Sequence, residues 1–225
     1  MSNASSSIGK VKTGSLLYPY QKRLVEVLLL KVPRNINSVH MTYMTVVWTI
    51  LVLITFWMSS ISRSALILVN LVIIMQFITD ALDGALGRTR GEGLVKWGYF
   101  MDHLLDYVFG ASIIIGYGIL LPSLLPYLYI ILFAVGGIVV CAHLAVGAGQ
   151  EFGVRAGKIS PTELILAILI FNTLILVAGL SLLKLVIILV SYLSVLVFIF
   201  VAYTLQKRLM SEDQQINQSG SKNSS

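Results

Sequence analysis

The chain has 225 residues, of which 57 % are apolar and only 12 % charged, with a formal net charge of +6 and a mean hydropathy of +0.89. A water-soluble domain of this length does not carry so little charge over so much apolar sequence, so the composition is that of a polytopic membrane protein. The single cysteine, Cys141, excludes an intramolecular disulfide and reads as a small packing residue within an apolar run.

Residues 1–15 are rich in Ser, Asn and Gly, carry Lys10 and Lys12, and read as a disordered tail. No apolar stretch of the kind a cleavable signal needs follows that basic start. From Leu16 to Val32 apolar residues mix with Lys22, Arg23, Glu26 and Lys31. Leu24, Val27, Leu28 and Lys31 recur at helical spacing, which predicts an amphipathic helix lying on the membrane surface. Six apolar stretches follow, at 41–58, 65–83, 97–120, 125–147, 162–180 and 184–205. They approach the length of about 20 residues that crosses the hydrocarbon. Pro122 and Pro126 bracket a tight turn, and Pro161 begins the fifth stretch with Ser160 as its N-cap. Gly137, Cys141, Gly147 and Gly149 are small enough to allow close helix packing, while Tyr18, Tyr20, Trp48, Trp57 and Trp97 read as interfacial anchors. Residues 209–225 are Gln-, Asn- and Ser-rich and read as a disordered tail, leaving a membrane domain over 16–208. The predicted class is therefore an all-α polytopic membrane protein with six transmembrane helices and an N-terminal amphipathic surface helix.

Charge orients the spans. Fourteen of the sixteen basic residues fall before the first stretch, after the second, after the fourth or after the sixth; only Arg63 and Lys184 fall on the other side. Basic residues concentrate on the cytoplasmic side, so this split predicts both termini in the cytoplasm. The net positive charge is then a membrane-surface property that attracts anionic head groups, not a sign of nucleic acid.

The cytoplasmic ends of the second and third stretches hold the most unusual residues. Four of the ten acidic residues stand there, as Asp80 and Asp83 and then as Asp102 and Asp106. Carboxylates at the ends of apolar runs are costly unless they pair or bind a cation. Spacings of three and four put each pair on one helix face. Gly84, Gly87 and Arg88 extend the first face, and Gly98, Asp102, Asp106 and Gly110 form a stripe on the second. Two helices meeting along these faces would gather hard oxygen ligands suited to Mg²⁺, Mn²⁺ or Ca²⁺ rather than zinc. The glycines admit a bulky ligand close to the backbone, and Arg88 offers a cation for a phosphate oxygen. The plainer alternative is helix-end solvation with ion pairs such as Asp83–Arg88, but it leaves the second carboxylate pair and the glycines without a shared cause.

The stretch from Asp80 to Asp106 resembles the signature of the CDP-alcohol phosphotransferases, Asp-x2-Asp-Gly-x2-Ala-Arg-x8-Gly-x3-Asp-x3-Asp, at Asp80, Asp83, Gly84, Arg88, Gly98, Asp102 and Asp106. It departs from it twice. Gly87 replaces the usual alanine, which keeps the position small, and nine residues rather than eight separate Arg88 from Gly98, which lengthens the turn between two helices. The resemblance implies a membrane enzyme of phospholipid synthesis. Such an enzyme transfers a substituted phosphate group from a CDP-linked lipid or CDP-alcohol to the hydroxyl of a small polar alcohol, releasing CMP with the help of Mg²⁺ or Mn²⁺, commonly two ions. It further implies Asp80, Asp83, Asp102 and Asp106 as metal ligands, with Asp106 also the general base. Asp80, Gly84, Gly87, Arg88 and Gly98 would border nucleotide and diphosphate, in a homodimer whose active site faces the cytoplasm.

The acceptor side is less legible. Arg155 and Lys158 in the turn after the fourth stretch could hold an acceptor phosphate, and Ser160 or Thr162 an acceptor hydroxyl. A positive-inside turn followed by a helix cap explains the same residues equally well. His40 and His103 read as interfacial or packing residues, and His143 as a hydrogen-bonding partner of a neighbouring helix. Two other function classes compete. A prenyltransferase-like enzyme would carry two aspartate-rich motifs on distant helices, and an ion or proton transporter would hold its carboxylates near mid-membrane. Here both pairs lie in one helix-turn-helix at one edge.

Overall fold

The protein is described by a computed structural model covering residues 18–91, 94–148, 161–179 and 181–222. Seven helices and no strand occur among the described residues: α1 (Tyr18–Leu29), α2 (Ser38–Ile61), α3 (Leu66–Arg90), α4 (Val95–Leu120), α5 (Leu125–Gly147), α6 (Pro161–Ala178) and α7 (Ser181–Lys222). Single 3₁₀ turns at Arg63–Ala65 and Pro122–Leu124 reverse the chain before α3 and α5, the second using the predicted proline corner. Five of these helical segments are long and apolar enough to cross a membrane: Ser38–Ile61, Arg63–Arg90, Val95–Leu120, Pro122–Gly147 and Lys184–Gln218.

Six crossings were expected. α6 is largely apolar, with Thr162, Glu163, Asn172 and Thr173 its polar residues, and at 18 residues it is shorter than the five candidates. α3 runs past the apolar stretch to Arg90, in keeping with the extension of its face by Gly84, Gly87 and Arg88, and Leu82, Ala85 and Leu86 keep a buried face going past the aspartates. The whole Asp80–Arg88 half of the motif is thereby on one rigid rod, which ends at Gly91 in the left-handed region (φ 64°). The C-terminal stretch from 209, read from composition as a disordered tail, is helical to Lys222 as the last turns of α7. An Arg208–Glu212 ion pair (3.0 Å) one turn apart supports its continuation. At 1.5 Å per residue the 42 residues of α7 reach about 63 Å, twice a hydrocarbon crossing.

α1 forms where an amphipathic helix was expected, but its inward face is offset from the predicted stripe. Gln21, Val25, Leu28 and Leu29 are half-buried on the side packed against α3, whereas Leu24 and Val27 are exposed. Residues 1–15 lie outside the described residues.

The central layer is α2, which packs along both α3 and α4; α5 pairs with α7, and α6 lies on α3. Phe56 of α2, wholly buried, sits edge-on to Tyr117 of α4 with ring centres 5.0 Å apart. Close approach there depends on Gly116: a β-carbon at that position would lie 2.1 Å from the Phe56 ring. Gly137 does the same between α5 and α7, its absent β-carbon lying 2.6 Å from Phe198. Three polar side chains inside the bundle bond one another. The Tyr117 hydroxyl donates to Asn172 Oδ1 (2.6 Å) and the Asn172 amide donates to Asn70 Oδ1 (2.7 Å), which links α4, α6 and α3. Trp48, expected as an interfacial anchor, instead turns inward and donates to Thr79 Oγ1 (3.0 Å), joining α2 to α3.

Candidate active site

α3 and α4 both lean on α2 and approach each other far less closely than either approaches α2. The acidic side chains reach across the space left between them. Asp80 on α3 and Asp102 and Asp106 on α4 each offer a carboxylate oxygen, and the three oxygens lie within 4.8 Å of one another. Asp80 is half-buried, the Asp102 side chain is 46 % exposed and Asp106 is exposed, so the cluster opens outward and a ligand can reach it. Two like charges about 5 Å apart repel by roughly 3 kcal/mol at an effective dielectric of about 20, and three such pairs make the bare arrangement costly. A hard divalent cation among them reverses the sign of that sum, and an all-oxygen donor set suits Mg²⁺ or Mn²⁺.

The face of α3 divides into two adjoining stripes. Asp80, Gly84 and Arg88, four apart, lie along the first. The Arg88 side chain folds back over Gly84, where a β-carbon would stand 3.2 Å from Arg88 Nη1. The guanidinium therefore lies along the same stripe as Asp80. Asp83, Gly87 and Arg90 form the second stripe, which faces the start of α2. Asp83 stands one step outside the group of three, and its Oδ2 accepts a hydrogen bond from Thr42 Oγ1 at 2.5 Å. Gly87 faces Ser38, whose β-carbon and hydroxyl would be 3.7 and 3.8 Å from a β-carbon there. Gly98, in the first turn of α4, has open space beside it.

His103 is closer to the cluster than its place on the helix suggests. Its Nδ1 lies 3.5 Å from Asp102 Oδ2, and its ring packs on Tyr99 (4.4 Å) and faces His143 of α5 (5.3 Å). His40 is a capping residue: Asn37 N–H donates to its Nδ1 (3.2 Å), while His40 N–H donates to Asn37 Oδ1 (3.1 Å). Of the acceptor-side residues, Arg155, Lys158 and Ser160 lie outside the described residues. Thr162 is on α6, and its hydroxyl donates to Gln21 Oε1 of α1 (3.1 Å). Thr42, and any role for Arg90 beyond its positive charge, went unread in the sequence. One threonine among the four of an apolar span, and a basic residue in a positive-inside turn, carry no local mark of the partners they find about 40 to 60 residues away.

The family model for CDP-alcohol phosphatidyltransferases matches residues 39–204, which takes in α2 through most of α7 and the whole aspartate motif. Comparison with curated proteins finds no match. With its motif on α3 and α4 and the match spanning most of its length, the chain belongs to the CDP-alcohol phosphatidyltransferase family.

Proposed function

We propose that this enzyme transfers a phosphatidyl or other substituted phosphate group from a CDP-linked donor such as CDP-diacylglycerol to the hydroxyl of a small polar alcohol, releasing CMP. The observation that carries the reading is the meeting of Asp80, Asp102 and Asp106 across the α3–α4 gap beside an arginine laid along the same stripe. Phosphoryl transfer asks a protein for little covalent chemistry; it needs positioning and charge neutralisation, and this site is built from groups that do both.

Asp80, Asp102 and Asp106 would hold the divalent ion, with Asp83 completing the set for a second one. Bound there, such ions neutralise charge on the phosphate and on the attacking and leaving oxygens. Arg88 grips the diphosphate. Gly84, Gly87 and Gly98 leave room for the nucleotide against the backbone. Asp106, the most open of the three carboxylates, takes the proton of the acceptor hydroxyl as its oxygen attacks the phosphorus bearing the lipid alcohol. The bond from that phosphorus to the CMP oxygen breaks, and CMP leaves. Arg155 and Lys158 are the proposed contacts to an acceptor phosphate, which favours a phosphorylated acceptor, and Ser160 the proposed contact to an acceptor hydroxyl. Thr162 would join them only by giving up its bond to Gln21.

The charge distribution supports six crossings with both termini and the aspartate cluster in the cytoplasm, α6 acting as a short fifth span and α1 lying on the membrane surface. A water-soluble nucleotide then reaches the site from the cytosol while acyl chains stay in the bilayer. The protein acts as a homodimer in this reading.

The test is release of radiolabelled CMP from CDP-diacylglycerol by purified protein with Mg²⁺ or Mn²⁺, against a panel of acceptors that includes glycerol 3-phosphate, serine and inositol phosphate, and from CDP-choline with diacylglycerol. Release that chelator abolishes and metal restores supports the reading; silence across the panel at saturating metal sinks it. A prenyltransferase would instead consume an isoprenoid diphosphate, and a transporter would move ions in proteoliposomes without CMP chemistry.

A further inference from the structure

Arg90 lies in the last turn of α3, and its guanidinium turns to neutral carbonyls rather than toward the aspartates. Nη1 donates to the carbonyls of Arg34 (3.4 Å) and Ile36, and Nη2 to those of Val32 (3.2 Å) and Pro33 (3.2 Å). Four carbonyls of one short turn thus converge on a single planar cation. Only an arginine supplies donors in a fork broad enough to hold them together; an ammonium is a point charge with three donors.

What that turn leads into gives the contact its consequence. It ends at Asn37, the N-cap of α2, and the reciprocal Asn37–His40 bonds fix the first turn of the helix. From this corner two side chains reach the second stripe of α3: Ser38 against Gly87, and Thr42 donating to Asp83. Asp83, Gly87 and Arg90 are spaced four and three apart, so all three face the corner. α3 therefore grips, at its own end, the segment that orients its own aspartate two turns earlier.

We propose that Arg90 is a positioning residue for the metal site: it holds the 32–36 turn so that the Thr42 hydroxyl sets the direction of the Asp83 carboxylate. The inference rests on the reading of the aspartates as a divalent-metal site, and the turn it concerns precedes residue 39, where the family match begins. Groups that orient a metal ligand change metal affinity by about 10- to 100-fold when removed.

The experiment is titration of purified full-length protein with Mn²⁺, read by the paramagnetic resonance of free Mn²⁺, for wild type, Arg90→Gln, Arg90→Lys, Thr42→Val, the Arg90→Gln/Thr42→Val double variant and Asp80→Asn. Arg90→Gln and Thr42→Val are each expected to weaken Mn²⁺ binding about tenfold, with Arg90→Lys between them and wild type. The double variant is expected to be no weaker than either single one, because both act through Asp83. Wild-type affinity in Arg90→Gln, or losses that multiply in the double variant, would overturn the inference. If Arg90→Gln does not survive extraction, the Arg90→Lys/Thr42→Val pair carries the same test of non-additivity. Loss of Mn²⁺ binding in Asp80→Asn shows that the site itself is sound, so a failure of the Arg90 inference stays separate. Equal binding by Asp80→Asn and wild type removes the metal site and the inference with it.

Discussion

The Thr42 hydroxyl donates to the Asp83 carboxylate at 2.5 Å, joining residues 41 apart in the chain. This bond ties the first turn of α2 to the motif face of α3 and separates Asp83 from the three carboxylates that meet across the α3–α4 gap. The four aspartates of the motif are thus not equivalent: three share a space, and one is held from the side by a neighbouring helix.

That inequality predicts different phenotypes. Asp106→Asn keeps the volume and one hydrogen-bonding oxygen but cannot take the acceptor proton. CMP release is expected to fall by about 10²- to 10⁴-fold while the thermal unfolding midpoint in detergent stays near wild type. Retained turnover would remove Asp106 from the chemistry.

Gly84→Ala probes the first stripe. The new methyl stands 3.2 Å from Arg88 Nη1, the far end of a flexible side chain, so the helix survives while the guanidinium is displaced. The KM for the CDP donor is expected to rise about tenfold, the scale of one weakened charge-assisted contact, with kcat changing less. An unchanged donor KM would show that the Arg88 position does not matter to the donor.

Gly116→Ala tests the core that carries the site. Its β-carbon would overlap a Phe56 ring that has no exposed surface into which to move. Overpacking of this kind costs about 1–3 kcal/mol, read as a lowered unfolding midpoint. Phe56→Leu in the same chain is expected to recover part of the loss; if it makes matters worse, the clash is not the cause.

Asn172→Ala removes the middle of the chain from Tyr117 through Asn172 to Asn70. Intramembrane hydrogen bonds average about 0.6 kcal/mol each, so breaking two is expected to cost about 1 kcal/mol of stability and leave CMP release intact. Adding Asn70→Ala is expected to cost little more. A second full loss would mean that Asn70 has partners of greater weight than Asn172.

Much of this protein is legible in its order of residues, because the relevant physics is local. A long apolar run makes a membrane helix whatever surrounds it, and carboxylates three or four apart share a helical face by geometry alone. Asp80, Asp83, Gly84, Arg88, Gly98, Asp102 and Asp106 could therefore be singled out from spacing, and a family resemblance recognised on them. Composition misled twice: residues 209–222 look like a solvated tail but extend α7, with the local Arg208–Glu212 pair, and Trp48 looks like an interfacial anchor but bonds Thr79 of the neighbouring helix. What only the tertiary structure decided is which helix each motif residue faces. α2 lies against both motif helices, so Asp83 and Gly87 meet Thr42 and Ser38, Arg90 closes on the turn before α2, and Asp80 is left to face Asp102 and Asp106. No local pattern encodes that division, because it depends on how three helices pack, and packing is set by side chains such as Phe56 and Gly116 that lie outside the motif.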